Sequence, residues 1–113
     1  SAASDVYKRQ QIDKLNFHQR MVLLGICRRL KKEEEISSGD ARKLYELVCE
    51  ENNEEARGYT TFWKYLKHLE SQGLIVSRAS SSHRGRGRTQ YITMPNSIPA
   101  VIGDRVEKGL FEG

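Results

Sequence analysis

Apolar residues recur at helical spacing in three separate stretches of the chain. In NFHQRMVLLGICRRLKK, Val22, Leu23, Ile26, Cys27 and Leu30 share one face, which predicts a helix with that face in the core. Asn16 is suited to cap its start with Gln19 three residues on, as in a capping box. Arg28, Arg29, Lys31 and Lys32 suit the negative end of its dipole. In SGDARKLYELVCEEN, the expected buried stripe is Leu44, Leu47 and Val48, flanked by Ala41 and Tyr45, with Ser38 as the N-cap and Asp40 in the first turn. In YTTFWKYLKHLESQG, Phe62, Leu66 and Leu69 follow an i, i+4, i+7 pattern with Tyr65 beside them. That arrangement leaves Thr60, Lys64, Lys67 and Ser71 on the opposite side, with Thr61, Trp63 and His68 on the shoulders. Gly73 is placed to end this third helix.

The pattern then changes. LIVSRA is apolar and β-branched at its start, and TQYITM alternates Tyr91 and Thr93 on one face with Ile92 and Met94 on the other. Both read as strands, joined by the loop SSSHRGRGR. Pro95 ends the second strand because it has no N–H to give to a ladder. SIPAVIGDRVEKGLF reads as a further helix with Pro99 in its first turn, packing Ile98, Val101, Ile102 and Val106 onto the body. Ahead of the first helix, DVYKRQQIDKL is compatible with a short helix carrying Val6, Ile12 and Leu15. KKEEE and NNEEARG read as polar connections, and there is no internal repeat.

The predicted fold is therefore mainly α with a small β-hairpin (α+β), a winged helix-turn-helix. Residues 1–14 form an N-terminal extension, partly disordered or a short helix. Residues 15–113 form the winged-helix domain, with the wing at about 74–94 and a C-terminal helix at about 97–111. In a helix-turn-helix the exposed helix lies in the major groove of DNA, which makes the third helix the presenting element.

Composition narrows this picture. At 113 residues the chain suits one domain. With 30% charged residues and no apolar run near the roughly 20 residues a spanning helix needs, a membrane role is not expected. No charged-then-apolar leader opens the sequence, and the expected location is cytoplasmic and nucleoid-associated. Cys27 and Cys49 fall inside apolar helical patterns and read as buried reduced thiols; a disulfide or metal site is the alternative, although neither has a second Cys or a His at zinc-site spacing. The net charge of +4 is modest, but its distribution is uneven. Acids crowd Glu33–Glu35 and Glu50–Glu55, while the chain between Glu70 and Asp104 has none and carries Arg78, Arg84, Arg86 and Arg88. A basic end of this kind is the footprint of a nucleic-acid binder, and the acidic runs are expected to lie away from it; acids beside the wing would weaken the DNA reading sharply.

The candidate DNA-binding residues follow. Arg84, Arg86 and Arg88 alternate with glycine at the wing tip, where they can reach phosphates or a narrow minor groove. Glycine there allows close backbone approach. Thr60, Thr61, Lys64 and Lys67 on the third helix offer groups able to contact phosphate, a thymine methyl or guanine. Arg78 and Thr89 extend the path along the strands. Each set has a plain structural reading beside it: a solvated basic loop and an ordinary lysine-rich helix face. Trp63 either closes the edge of the core or stacks on the DNA backbone. Tyr45 has no acidic metal cluster nearby in sequence and is read as structural rather than as a topoisomerase-like nucleophile. Gly85-Arg86-Gly87 lacks the third glycine and helix start of a nucleotide loop, and no Gly-x-x-x-x-Gly-Lys-[Ser/Thr] is present, so this chain alone is not expected to be an enzyme or to hydrolyse ATP.

LNFHQRMVLLGI, SSGDARKLYELVCEE, GYTTFWKYLKHLESQGLIVSR and GRTQYI, in that order, resemble the C-terminal winged-helix domain of archaeal origin-recognition initiators, relatives of the eukaryotic origin recognition and cell-division-control loading proteins. The resemblance runs from Leu15 to Leu110 and rests on Leu15, His18, Val22 and Leu23; on Ser37, Gly39 and Tyr45; on Leu69, Glu70, Gly73, Leu74 and Ile75; and on Gly87, Arg88 and Thr89. It implies double-stranded DNA at replication origins as the partner. It also implies an AAA+ module upstream in the full protein, which would use ATP and magnesium and help load the replicative helicase. No cofactor, small-molecule substrate or membrane is implied for this chain. Two features depart from the family: Thr60 and Thr61 stand where it often has arginines, and only Gly87-Arg88-Thr89 of the wing keeps its register. A winged-helix transcription regulator and a protein-docking winged helix are the alternatives; the latter would show an exposed apolar patch on the third helix.

Overall fold

The computed structural model describes residues 10–81 and 88–94. The predicted C-terminal helix and the start of the N-terminal extension lie outside them. After a helical turn at residues 10–13, the elements run α1 (Phe17–Leu30), β1 (Ile36–Ser37), α2 (Ser38–Glu51), α3 (Tyr59–Ser71), β2 (Val76–Ser81) and β3 (Arg88–Thr93). The strands form one antiparallel sheet in the order β1-β3-β2. This is the expected winged helix with one strand more than the sequence suggested.

Local chemistry explains the element boundaries. Asn16 caps α1 by accepting from the Gln19 N–H at 2.8 Å, and the Gln19 side chain accepts from the Asn16 N–H at 3.0 Å, a complete capping box. Ser37, not Ser38, caps α2: its hydroxyl accepts from the Asp40 N–H at 3.1 Å. The one-residue difference arises because β1 carries the backbone to Ser37 in extended form, which is the conformation an N-cap needs. Helices α2 and α3 both end in paired bonds around a left-handed residue. Asn53 (φ 55) and Gly73 (φ 73) take that position, with Glu54 N–H to Cys49 O at 2.8 Å and Leu74 N–H to Leu69 O at 3.0 Å. The second of these turns drops Leu74 and Ile75 into the core just before β2 begins.

Met21, Val22, Leu23, Ile26 and Cys27 of α1 pack against Ala41, Tyr45, Val48 and Cys49 of α2, against Phe62, Leu66 and Leu69 of α3, and against Ile36 and Ile92 of the sheet. Burying a side chain such as Phe62 contributes about 3 kcal/mol. Ile12 and Leu15 join this core, as expected. Leu47 does not. It is 49% exposed, and the buried face of α2 is Ala41, Arg42, Tyr45, Val48 and Cys49. The buried stripe is centred on Tyr45, and Leu44 lies at its edge, where α1 comes close over Gly25: an added Cβ there would lie 3.0 Å from the Leu44 Cβ. Cys27 and Cys49 are both free and buried.

Sheet register sorts the wing into two faces. Ile36 pairs with Ile92 and points to the core, while Tyr91 pairs with Arg78 on the outer face. Strand β1 thus ties the α1–α2 connection to the base of the wing.

Candidate nucleic-acid interface

Helix α3 turns Phe62, Leu66 and Leu69 inward, and this leaves Thr60, Lys64 and Lys67 exposed along one solvent face. Thr61 is half-buried on the shoulder. Trp63 is also half-buried: it packs against the core, meets Phe62 edge-on with centroids 6.3 Å apart, and lines a groove of about 90 Å³ between α3 and the inner face of the sheet. Lys67, Glu70, Ser77 and Gln90 share that groove. Glu70 accepts from the Ser77 hydroxyl at 2.5 Å and from its N–H at 3.2 Å, fixing β2 against α3. Glu70 therefore fastens helix to wing, and it is the Glu of the Leu-Glu-x-x-Gly-Leu-Ile motif.

The start of α3 is held by Arg42 and Arg57, which the sequence did not single out, together with Tyr45 and His18. Gly58 is its N-cap, with no side-chain cap bond. The connection leading to it is held instead by Arg42, which is only 8% exposed. Its guanidinium donates to the Arg57 carbonyl at 2.6 Å and to Glu46 at 2.9 Å, and its central carbon lies 4.4 Å from the Tyr59 ring centroid, 5.4 Å from Tyr45 and 5.5 Å from Phe62. From the other side the Arg57 N–H donates to the Tyr45 hydroxyl at 2.8 Å, which also bonds His18 Nδ1 at 2.8 Å. Burial, reinforced by the Arg57 charge, lowers the His18 pKa from 6.5, with Glu54 opposing. Burial pushes the Tyr45 phenol up to about 12, and its hydroxyl is taken up by the His18 and Arg57 bonds. His18 and Tyr45 belong to the motif positions of the resemblance, and here their chemistry is positional. Arg42 left no comparable trace in the sequence, because a buried arginine on an amphipathic helix looks like a solvated one until its aromatic neighbours are folded around it. Tyr59 is the large exposed aromatic at the head of α3, 64% exposed and held flat by Arg42.

The wing carries one correction. The acidic run is expected to lie away from it, yet β1 brings Glu35 onto the outer face of the sheet, and this counts against DNA contact at the base of the wing. Arg78 donates to both Glu35 oxygens, at 2.6 and 3.1 Å, and its guanidinium carbon lies 4.8 Å from the Tyr91 ring centroid. The Glu35 hydrogen bonds and charge raise the Arg78 pKa. Thr93 donates to the Glu34 carbonyl at 3.2 Å on the same edge. Arg78 is therefore exposed but already engaged. Arg84 and Arg86 lie outside the described residues. For Arg88 and Thr89 the backbone alone is described, pairing with Ser81 and Ser80 at the start of β3. Elsewhere, Glu51 meets Arg28 at 2.8 Å and Glu33 meets Arg29 at 3.7 Å, both on the side of α1 and α2. Among the described residues no group of His, Cys, Asp and Glu is arranged to hold a metal, and no helix is long and apolar enough to cross a membrane.

Comparison with known proteins places this architecture. Residues 10–102 match the family model described as the CDC6 C-terminal winged helix domain. The ORC1-type DNA replication protein of Methanosphaera stadtmanae is 34% identical over 87 residues, covering 77% of this chain and 22% of its own length. The crystal structure of Cdc6p from Pyrobaculum aerophilum superposes with a TM-score of 0.81 at 26% identity, over 92% of this chain and 26% of that one. The Aeropyrum pernix ORC1 protein, solved in complex with DNA, matches the fold with a TM-score of 0.78 at 19% identity, over 98% of this chain and 28% of that one. The chain thus spans about a quarter of the length of the relatives it matches. The match spans most of the chain, and the chain belongs to the family of Cdc6 C-terminal winged-helix domains.

Proposed function

We propose that this domain binds double-stranded DNA at replication origins, with α3 in the major groove and the Arg84, Arg86 and Arg88 wing over the neighbouring minor groove or phosphates. The observation that carries the reading is the exposed Thr60–Lys64–Lys67 stripe on α3, backed by an amphipathic helix whose start is clamped in place. Short and cationic side chains on a fixed helix are what base edges and phosphates require. The Aeropyrum pernix ORC1 protein, which shares the fold, is described in complex with DNA, and this supports the same partner here. The family places such a domain in initiator proteins. On this reading the longer protein supplies an AAA+ module with its ATP and magnesium, acts on the replicative helicase, and works at the nucleoid.

The test is a titration of labelled duplex, comparing an origin fragment with a scrambled sequence at about 50 mM and about 200 mM salt. Tighter binding to the origin fragment, with a steep salt dependence, is expected. Equal affinity for both would reduce the domain to a non-specific clamp. Salt-insensitive binding would point instead to a protein-docking role, with Tyr59 as its apolar contact.

A further inference from the structure

We infer that Glu35 is an internal competitor for the DNA backbone at Arg78, so that the base of the wing is held out of phosphate contact until this carboxylate is displaced. The inference rests on the duplex-binding reading above and adds a restraint to it. The sequence between residues 71 and 103 has no acid, and the wing would be purely cationic if the hairpin stood alone. The fold supplies one. Pairing of Ile36 with Ile92 sets Glu35 beside β3 on the outer face, the face that Arg78 and Tyr91 share through their own pairing.

The geometry is that of an occupied phosphate clamp. Both Arg78 donors on one edge of the guanidinium are matched by the two Glu35 oxygens at 2.6 and 3.1 Å, and the Tyr91 ring supports the plane from below at 4.8 Å. A planar fork accepts carboxylate and phosphate in the same bidentate manner. The pair is open to solvent, with side-chain exposures of 56% for Arg78 and 39% for Glu35, so an incoming phosphate can reach it. Exposed ion pairs are weak, and a DNA surface is dense in negative charge. Exchange of one oxyanion for another at Arg78 is therefore a small step, and Glu35 adds repulsion until it swings away. In this chain Arg78 and Glu35 together act as a threshold on wing engagement, not as a contact that is always available.

The test uses this chain, its Glu35→Gln and Arg78→Gln variants and the double variant, titrated with a labelled mixed-sequence duplex across a salt series; thermal melting confirms that each is folded. Glu35→Gln is expected to bind about three- to tenfold tighter at about 50 mM salt, with the log-log salt slope steeper by about 0.9, the value of one added phosphate contact. Arg78→Gln alone is expected to weaken binding by about twofold or more, because it removes a cation and leaves the Glu35 carboxylate unpaired beside the DNA. In the double variant the gain should vanish. An unchanged or weakened Glu35→Gln overturns the inference, as does a gain that survives in the double variant, since that would be plain charge removal. Failure of the parent chain to bind duplex at either salt would refute the DNA-binding reading itself, a result distinct from normal parent binding with an indifferent Glu35→Gln.

Discussion

An Arg42→Ala substitution removes three interactions at once from the joint ahead of α3. The first is a charge-assisted bond to the Arg57 carbonyl at 2.6 Å, with the acceptor on an exposed residue that water can re-satisfy in part. Such bonds contribute about 1.5–3 kcal/mol, and the lower end applies here. The second is the bond to Glu46 at 2.9 Å, whose carboxylate is 47% exposed, so it adds no more than about 0.5 kcal/mol. The third is the stacking of the guanidinium on Tyr59 at 4.4 Å, worth about 1 kcal/mol at a half-open site. The sum is about 3 kcal/mol. At about 4–6 °C per kcal/mol for a domain of this size, melting should fall by about 12–18 °C. Urea denaturation followed by Trp63 fluorescence measures the same quantity close to the perturbed helix. A double-mutant cycle with Tyr59→Ala isolates the stacking, with an expected coupling of about 1 kcal/mol. Arg42→Lys keeps the charge but not the fork and should recover less than half of the loss. An Arg42→Ala loss below about 1 kcal/mol would refute the clamp.

Gly25→Ala brings a Cβ within 3.1 Å of the Leu44 backbone carbon, so the α1–α2 pair must separate; a net loss of about 1 kcal/mol is expected after the gain in helix propensity, readable by urea denaturation. His18 is held below its ordinary pKa of 6.5 by burial, so the unfolded chain binds the extra proton first and stability is lost as pH falls below about 6.5. Melting curves between about pH 8 and pH 5 should show that decline, and His18→Gln should flatten it. Lys64→Gln and Lys67→Gln should each lower the salt slope of duplex binding by about 0.9 if the side chain neutralises a phosphate; an unchanged slope would assign that lysine to the solvated face. Charge reversal at Arg86 and Arg88 should weaken binding to every sequence and flatten the salt dependence, and full affinity at low salt would remove the wing from the interface.

Much of the molecule can be read from its pattern. The inward face of α3, the capping box at Asn16, the left-handed stop at Gly73 and the alternation of Tyr91 with Ile92 are consequences of residue type and spacing, and each appears where periodicity puts it, whereas α1 buries every residue from Met21 to Cys27 and not one face alone. The rotation of α2 could not be read this way. Leu47 fits a helical stripe as well as Tyr45 does, and only the packing of the other elements around α2 decides which side is covered. β1 was equally hidden, because two residues carry no period.

The candidate site divides along the same line. Local sequence was sufficient to choose the helix that faces outward and the lysines and threonines it presents, since an amphipathic helix that buries one stripe must expose the other. Which cations stay available is a question of distant partners. Arg78 meets Glu35 across 43 positions of chain and Arg42 reaches Arg57 across 15, and neither pairing leaves a mark on local composition. Hydrophobic periodicity is a property of neighbours along the chain, whereas an ion pair depends on two charges meeting in space. The winged helix could therefore be inferred from order and spacing, while the restraint on its wing existed only once β1 had paired with β3.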